Sequence, residues 1–334
     1  MSEEIKKFKI TIDGQSAEVA PGTTILEAAR KIGGKSVPPA MCYHSKLEKS
    51  GGRCRTCLVE VSKGSEADPR PMPKLVASCR TTVMDGMEVK NLTSPKTQEA
   101  RHAVTEFLLI NHPLDCPVCD QAGECHLQDL SYENGLQQTR TEFERRTFDA
   151  DDIGPYIKLN MNRCILCARC VLLADQLTPE REHGILFRGD HAEISTYLNK
   201  ALNNDFIGNV IDVCPVGALT DRTFRFASRV WYTKPINATC KCEKCNGKAV
   251  LWMKGDEILR ITARKDIYGE VEDFICNDCR FERKELKYWN IEGPRHIDRH
   301  SVISTNKYGS LQNSYKRIET ESVTEIDSNH EKQS

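Results

Sequence analysis

The sequence predicts an α+β chain made of several small modules, each organised around cysteines. Three observations carry that expectation. Sixteen cysteines fall into four successive groups rather than scattering through the 334 residues. Short alternating apolar–polar runs with Asp-Gly or Gly-Asp turns lie towards both ends, and helical patterns lie between them. Only 39% of the residues are hydrophobic, and the mean hydropathy is −0.51. So thin a supply of core-forming side chains suits small domains whose folding is supported by metal binding.

Residues 7–20 alternate on either side of Asp13-Gly14, a strong hairpin signal. Thr23 or Thr24 then caps a short helix, ILEAARKIG, which stops at Gly33-Gly34. CLVEVSK and KLVASC read as strands, and residues 83–90 as a second hairpin around Asp85-Gly86. Residues 95–111 read as a helix with Ala100, Val104, Phe107, Leu108 and Ile110 on an apolar face, leading into His112. A further helix follows Cys167 (ARCVLLADQL), and a short one follows Pro215. Residues 249–262 read as a hairpin around Gly255-Asp256, and 290–334 turn polar enough for an extended or disordered tail. The expected modules are a β-rich domain with one helix over 1–92, a helical segment over 93–135, a third module over 136–230, a small β-rich domain over 231–289, and the tail.

Basic and acidic residues balance at 47 against 48, a net charge of −1, so nothing points to a nucleic-acid surface. The start, MSEEIKKFKI, has no apolar stretch and does not read as a secretory signal. The most apolar window, Phe107-Leu108-Leu109-Ile110, is far too short to span a bilayer. In a reducing compartment sixteen cysteines are explained by metal ligation rather than by disulfides.

The first group, Cys42, Cys54, Cys57 and Cys79, is spaced C-x11-C-x2-C-x21-C. Its first gap is wider than in plant-type ferredoxins, but the surrounding hairpin–helix–strand order is ferredoxin-like. Gly51 and Gly52 precede the cysteine pair and let backbone N–H groups approach sulfur without a side-chain clash. A [2Fe–2S] cluster suits this set, with zinc as the alternative.

The second group is His112-x3-Cys116-x2-Cys119-x5-Cys125. Three cysteines do not close a four-ligand site, so His112 is the candidate fourth ligand, with His126 or water as the alternatives. An imidazole in place of a thiolate removes one negative charge and, as in Rieske centres, raises the potential. The third group, Cys164-x2-Cys167-x2-Cys170 with a remote Cys214-Pro215, is a bacterial-ferredoxin half-motif. No second triplet exists to exchange with, so Cys214 is assigned to the same [4Fe–4S] cluster, with a zinc site as the alternative. In the last group, Cys242-x2-Cys245 and Cys276-x2-Cys279 are two knuckles. They suit a zinc ribbon or rubredoxin-like iron, or a [4Fe–4S] cluster if Cys240 takes part.

Other patterns are weak. Gly34-Lys35-Ser36 lacks the first glycine of a phosphate loop, and no G-x-G-x-x-G follows a strand, so no nucleotide or flavin site is expected. His44, His102, His183 and His191 lack ligand spacing and read as surface or structural residues.

With these segments in hand, RCRTCLVEV, DCPVCDQAGECHLQD and NRCILCARC, in this order, resemble the G subunit of respiratory complex I, NADH:quinone oxidoreductase, over residues 5–289. The resemblance implies an N-terminal ferredoxin-like (β-grasp) [2Fe–2S] domain, a His(Cys)3-ligated [4Fe–4S] segment and a ferredoxin-like [4Fe–4S] domain. It places those clusters on the first, second and third groups. That family continues into a molybdopterin-oxidoreductase-like region, of which this sequence reaches only the start, so no pterin site is expected. Members with a fourth cluster use C-x2-C-x3-C and a distant cysteine. Here Ala249 occupies the third position and Cys240 and Cys279 are extra, which favours a structural metal, one zinc, at Cys242, Cys245, Cys276 and Cys279.

The implied function is an electron conduit with no bond-making residue of its own. An NADH/FMN-binding partner subunit would supply electrons, and quinone-module subunits would take them. The implied location is peripheral, at the cytoplasmic face of the inner membrane, held by partners. An electron-transfer subunit of a soluble NAD-linked hydrogenase or formate dehydrogenase is the alternative. A zinc-binding interaction module is a distant one.

Overall fold

The computed structural model describes residues 7–294 apart from Gln137, Phe143, 179–182 and 197–201. The alternating start forms β1 (Phe8–Ile12) and β2 (Gln15–Val19), an antiparallel hairpin closed at Asp13-Gly14. Gly14 has φ +85°, a conformation that glycine adopts without penalty. Helix α1 (Ile25–Ile32) follows, capped by Thr24. The Thr24 hydroxyl accepts from the Glu27 backbone N–H, and the Glu27 carboxylate accepts from Thr24 N at 2.8 Å, a reciprocal capping box. Thr24→Ala removes the side-chain half of that box, and a loss of about 1 kcal/mol is expected in chemical unfolding of the chain.

Strands β3 (Leu58–Lys63), β4 (Val76–Ala77) and β5 (Met87–Lys90) complete a five-stranded sheet in the order β2-β1-β5-β3-β4. The expected hairpin over 83–90 does not form. β5 instead pairs parallel to β1 and antiparallel to β3. Val83 N donates to Thr23 O at 2.9 Å and Gly86 N to Lys9 O at 2.8 Å, so the stretch before β5 joins other segments rather than folding back. Ile10, Ile12, Ile25, Val59, Val61 and Met87 are fully buried between sheet and helix.

Helix α2 (Pro95–Leu109) begins at the N-cap Ser94 with proline in its first turn, as the residue pattern predicts. Its buried face is not the expected apolar one. Thr97, Arg101 and Thr105 are buried, whereas Phe107 is 74% exposed. The reason is what lies beneath the helix. Arg101 donates to Asn91 Oδ1, just after β5, at 2.6 Å and to Thr56 O of the first cysteine loop at 3.4 Å, satisfying a buried amide and a backbone carbonyl.

Helix α3 (His126–Asn134) leads to β6 (Ala150–Asp152) and β7 (Ile157–Asn160); α4 (Arg169–Leu177) begins just after Cys167 and carries Cys170 of the third cysteine group. β8 (His183–Leu186) and β9 (Glu193–Thr196) form a separate hairpin. The short helix expected after Pro215 is absent. Instead α5 (Asn209–Val213) precedes Cys214, whose backbone is extended, and the chain continues into β10 (Leu219–Asp221), which pairs with β7. Proline disfavours helix at the residue before it and has no N–H to donate, so the helix ends there.

The last module is a four-stranded antiparallel sheet in the order β13-β12-β11-β14: β11 (Lys234–Cys240), β12 (Lys248–Lys254), β13 (Glu257–Ala263) and β14 (Trp289–Pro294). The hairpin at Gly255-Asp256 forms as expected. Residues 290–294, which composition places in a tail, are in β14 and pair with β11. The remainder of that tail lies outside the described residues. Helix α6 (Asn277–Phe281) carries Arg280, 2% exposed, whose guanidinium pairs with the buried Asp212 of α5 and donates to Asn209 Oδ1 at 3.0 Å. Among the described residues no helix is long and apolar enough to cross a membrane.

Candidate metal centres

All sixteen cysteines are free thiols. The first group gathers on the loops between α1 and β5. Cys42, Cys54, Cys57 and Cys79 are all buried. Cys57 Sγ lies 3.3 Å from Cys79 Sγ, and Cys42 Sγ accepts from the backbone N–H groups of Arg53 and Cys54, each at 3.3 Å. Gly52 N donates to Cys79 Sγ at 3.2 Å, the close approach expected of this glycine pair. Gly51 has φ +95°, and a Cβ there would come within 3.1 Å of Cys79 Sγ. Hydrogen bonds from the Cys54 and Cys79 thiols hold Cys42 well below the usual thiol range. These N–H groups favour thiolates, the ligand form that iron or zinc requires.

The second group spans the end of α2 and the start of α3. Cys119 and Cys125 are buried and Cys116 is exposed. His112 Nδ1 is buried with no hydrogen-bond partner, and burial lowers the imidazole pKa to about 4. A neutral imidazole with a buried, unpartnered ring nitrogen fits a metal ligand. The alternative, His126, has its ring packed against Gly269, where a Cβ would overlap the imidazole. A second glycine, Gly217, shapes this site without any signal in the spacing of the cysteines. A Cβ on Gly217 would overlap Cys119 Sγ. Arg163 pairs with Asp115 at 2.8 Å, and Arg229 donates to Cys119 O at 2.7 Å, fastening the loop.

Cys164, Cys167, Cys170 and Cys214 line one cavity, together with Leu159, Ile165, Ile194, Val216 and Leu219. This arrangement unites the triplet with the remote cysteine across about 44 residues of chain. Leu166 (φ 52°) and Ala168 (φ 61°) flank Cys167 in the left-handed region, which costs a non-glycine residue about 1–2 kcal/mol. Such strain bends the loop around the cavity and marks a functional site. Burial pushes the Cys167 thiol up to about 12, so without a cation the pocket disfavours a thiolate.

The spatial order of the groups differs from their order in sequence. The third group borders both the first and the second. Arg169, 1% exposed, follows Ala168 and donates to Ala40 O at 3.0 Å, to Tyr43 O, and to Val213 O at 3.4 Å. One guanidinium thus ties the Cys42 loop to the turn bearing Cys214. On the other side, Cys125 Sγ lies 3.9 Å from Pro215 O.

In the last group Cys240, Cys242, Cys245 and Cys279 have sulfurs all within 4.8 Å of one another. The knuckle spacing favours Cys276 in place of Cys240; Cys276 Sγ stands 3.9 Å from Cys242 Sγ and its thiol also meets Cys245 and Cys279, so it borders the same sulfurs as a fifth thiol. Ala249, at the position where the family pattern has a third knuckle cysteine, is fully buried in β12. Of the remaining histidines, His44 is a buried structural residue that accepts from Val271 N at 3.1 Å, whereas His191 is exposed.

Three segments of the chain match family models of iron–sulfur proteins. Residues 6–94 match a 2Fe–2S iron–sulfur cluster binding domain. Residues 101–140 match the NADH-ubiquinone oxidoreductase-G iron–sulfur binding region. Residues 154–220 match the ferredoxin-like domain of NADH-quinone oxidoreductase subunit 3. The NADH-quinone oxidoreductase G subunit of Rickettsia bellii (strain RML369-C) is 37% identical over 322 residues, covering 95% of this chain and 45% of the relative. The NADH-ubiquinone oxidoreductase 75 kDa subunit of Reclinomonas americana is 40% identical over 287 residues, covering 85% of this chain and 39% of the relative. Among solved structures, a chain of the NAD+-reducing [NiFe]-hydrogenase in the H2-reduced state aligns with a TM-score of 0.56 at 28% identity, covering 67% of this chain and 91% of that one. The chain spans less than half the length of the curated relatives it matches. Three cluster-binding regions in the same order, at these identities, make this chain a relative of the NADH-quinone oxidoreductase G subunit through its iron–sulfur-binding regions.

Proposed function

We propose that the chain is an iron–sulfur electron-transfer subunit of an NADH:quinone oxidoreductase, relaying electrons from an NADH- and FMN-binding partner towards a quinone-reducing module. Cys42, Cys54, Cys57 and Cys79 hold a [2Fe–2S] cluster; His112, Cys116, Cys119 and Cys125 hold a [4Fe–4S] cluster; Cys164, Cys167, Cys170 and Cys214 hold another. Each cluster, when bound, takes up and passes on one electron. The protein's own part is to ligate, bury and position. Backbone N–H groups at Arg53 and Cys54 support the Cys42 thiolate, and apolar residues such as Leu159 and Ile194 keep water from the third group.

The observation that carries this reading is the third group's cavity, bordered by both other groups. Electrons entering either neighbour would pass through it, so the relay runs first group, third group, second group, or the reverse. The location would be peripheral at the cytoplasmic face of the membrane, held by partner subunits. The likeness to a chain of the NAD+-reducing [NiFe]-hydrogenase favours, as a second reading, the equivalent subunit of such an enzyme. Identification of co-purifying subunits separates the two.

The test is metal analysis of anaerobically purified protein. About ten irons per chain are expected from one two-iron and two four-iron clusters. Little iron with several zincs would sink the relay.

A further inference from the structure

We infer that the last cysteine group is a closed, tetrahedral zinc site formed by Cys240, Cys242, Cys245 and Cys279, with Cys276 as a non-ligating fifth thiol. The inference stands apart from the three-cluster reading and concerns only this module. Its basis is the spacing of the sulfurs. Four thiolates on one ion with Zn–S bonds of about 2.3 Å have sulfurs about 3.8 Å apart. Cys245 Sγ and Cys279 Sγ are 3.7 Å apart and all four lie within 4.8 Å of one another, while Cys240 Sγ and Cys279 Sγ, at 2.7 Å, would part by about 1 Å to admit the ion. That is room for one ion and not for a cube of four irons, which must stand between its ligands.

The contrast within the molecule supports this reading. Among the described residues this is the only set of three or more such ligand atoms drawn so closely together. The thiols of the third group instead line a cavity.

The elements explain why Cys240 is included. It ends β11 and points back into the module, 2% exposed, and its sulfur accepts from Cys242 N at 3.3 Å. Asn246, just past Cys245, has φ 41°, which turns the knuckle inward. A Cβ on Gly247 would meet Ile275 at 2.9 Å, so the two knuckle segments pack closely. Four thiolates leave no open position, which marks a structural rather than a catalytic zinc. Its position gives it a purpose. The ion would join β11 to α6, and Arg280, next to Cys279, reaches the Asp212 that stands two residues before Cys214. The zinc site thereby buttresses the third group.

The experiment is metal content and zinc-edge X-ray absorption of the full chain, with Cys240→Ser and Cys276→Ser as variants. About one zinc per chain with about four sulfur neighbours near 2.3 Å is expected. Cys276→Ser should keep the zinc and Cys240→Ser should lose it. The reverse pattern overturns the ligand set, and a single iron in its place overturns the metal. About four further irons without zinc make the site a cluster and overturn both. The absorption spectrum of the unaltered chain decides ion and ligand number even if a variant fails to fold. Near ten irons without zinc would defeat this inference alone; zinc with little iron would defeat only the relay.

Discussion

Cys214→Ala is expected to remove about four of about ten irons and to leave the two-iron signal intact. Cys214 is 6% exposed, reaches the cavity from the end of α5, and is the one cysteine of its site not supplied by the triplet loop. An alanine there offers no ligand, and the cavity walls on that side, Val216 and Leu219, are apolar and cannot substitute. Iron analysis with electron paramagnetic resonance of the reduced protein reads the result. An unchanged iron content would show that Cys214 is not a ligand. Because the third group borders the other two, the same variant should also abolish electron passage between them while both remain reducible.

Arg169→Met is expected to destabilise the chain by about 3–5 kcal/mol. The guanidinium bonds three backbone carbonyls, those of Ala40, Tyr43 and Val213, in a site closed to water. Methionine fills much of the volume but donates nothing, and each buried carbonyl left unpaired costs about 1–3 kcal/mol. Arg169→Lys keeps a charge but lacks the planar fork that spans separate acceptors, so it should recover only part of the loss. Chemical unfolding of the loaded chain measures both. A loss under about 1 kcal/mol for the methionine variant would mean that the clamp does not hold the two loops together.

Much of the local structure was legible in the residues. Asp13-Gly14 and Gly255-Asp256 marked their hairpins because tight turns need backbone freedom at those positions. Thr24 marked a helix start because its hydroxyl satisfies a free N–H group. Other expectations failed where a distant segment decided the outcome. The stretch before β5 bonds Lys9 of β1 and Thr23 ahead of α1, and the buried side of α2 is polar because it rests on the Thr56 loop. Leu166 and Ala168 carry no signal of left-handed backbone, since ordinary residues adopt it only when the surrounding fold holds them there.

By itself the sequence named candidate donors for the first three groups, because cysteines two residues apart, as in Cys54 and Cys57, Cys116 and Cys119, or Cys164, Cys167 and Cys170, share one short loop. It also determined the module order and the short elements around it. Only the tertiary structure decided which groups are neighbours, that Cys240 joins the last set, and that Gly217 and Arg169 shape sites far from them in sequence. The physical reason is range. Ligand spacing and capping act over a few residues, whereas the packing of one loop on another joins segments more than a hundred residues apart and leaves no periodicity to read.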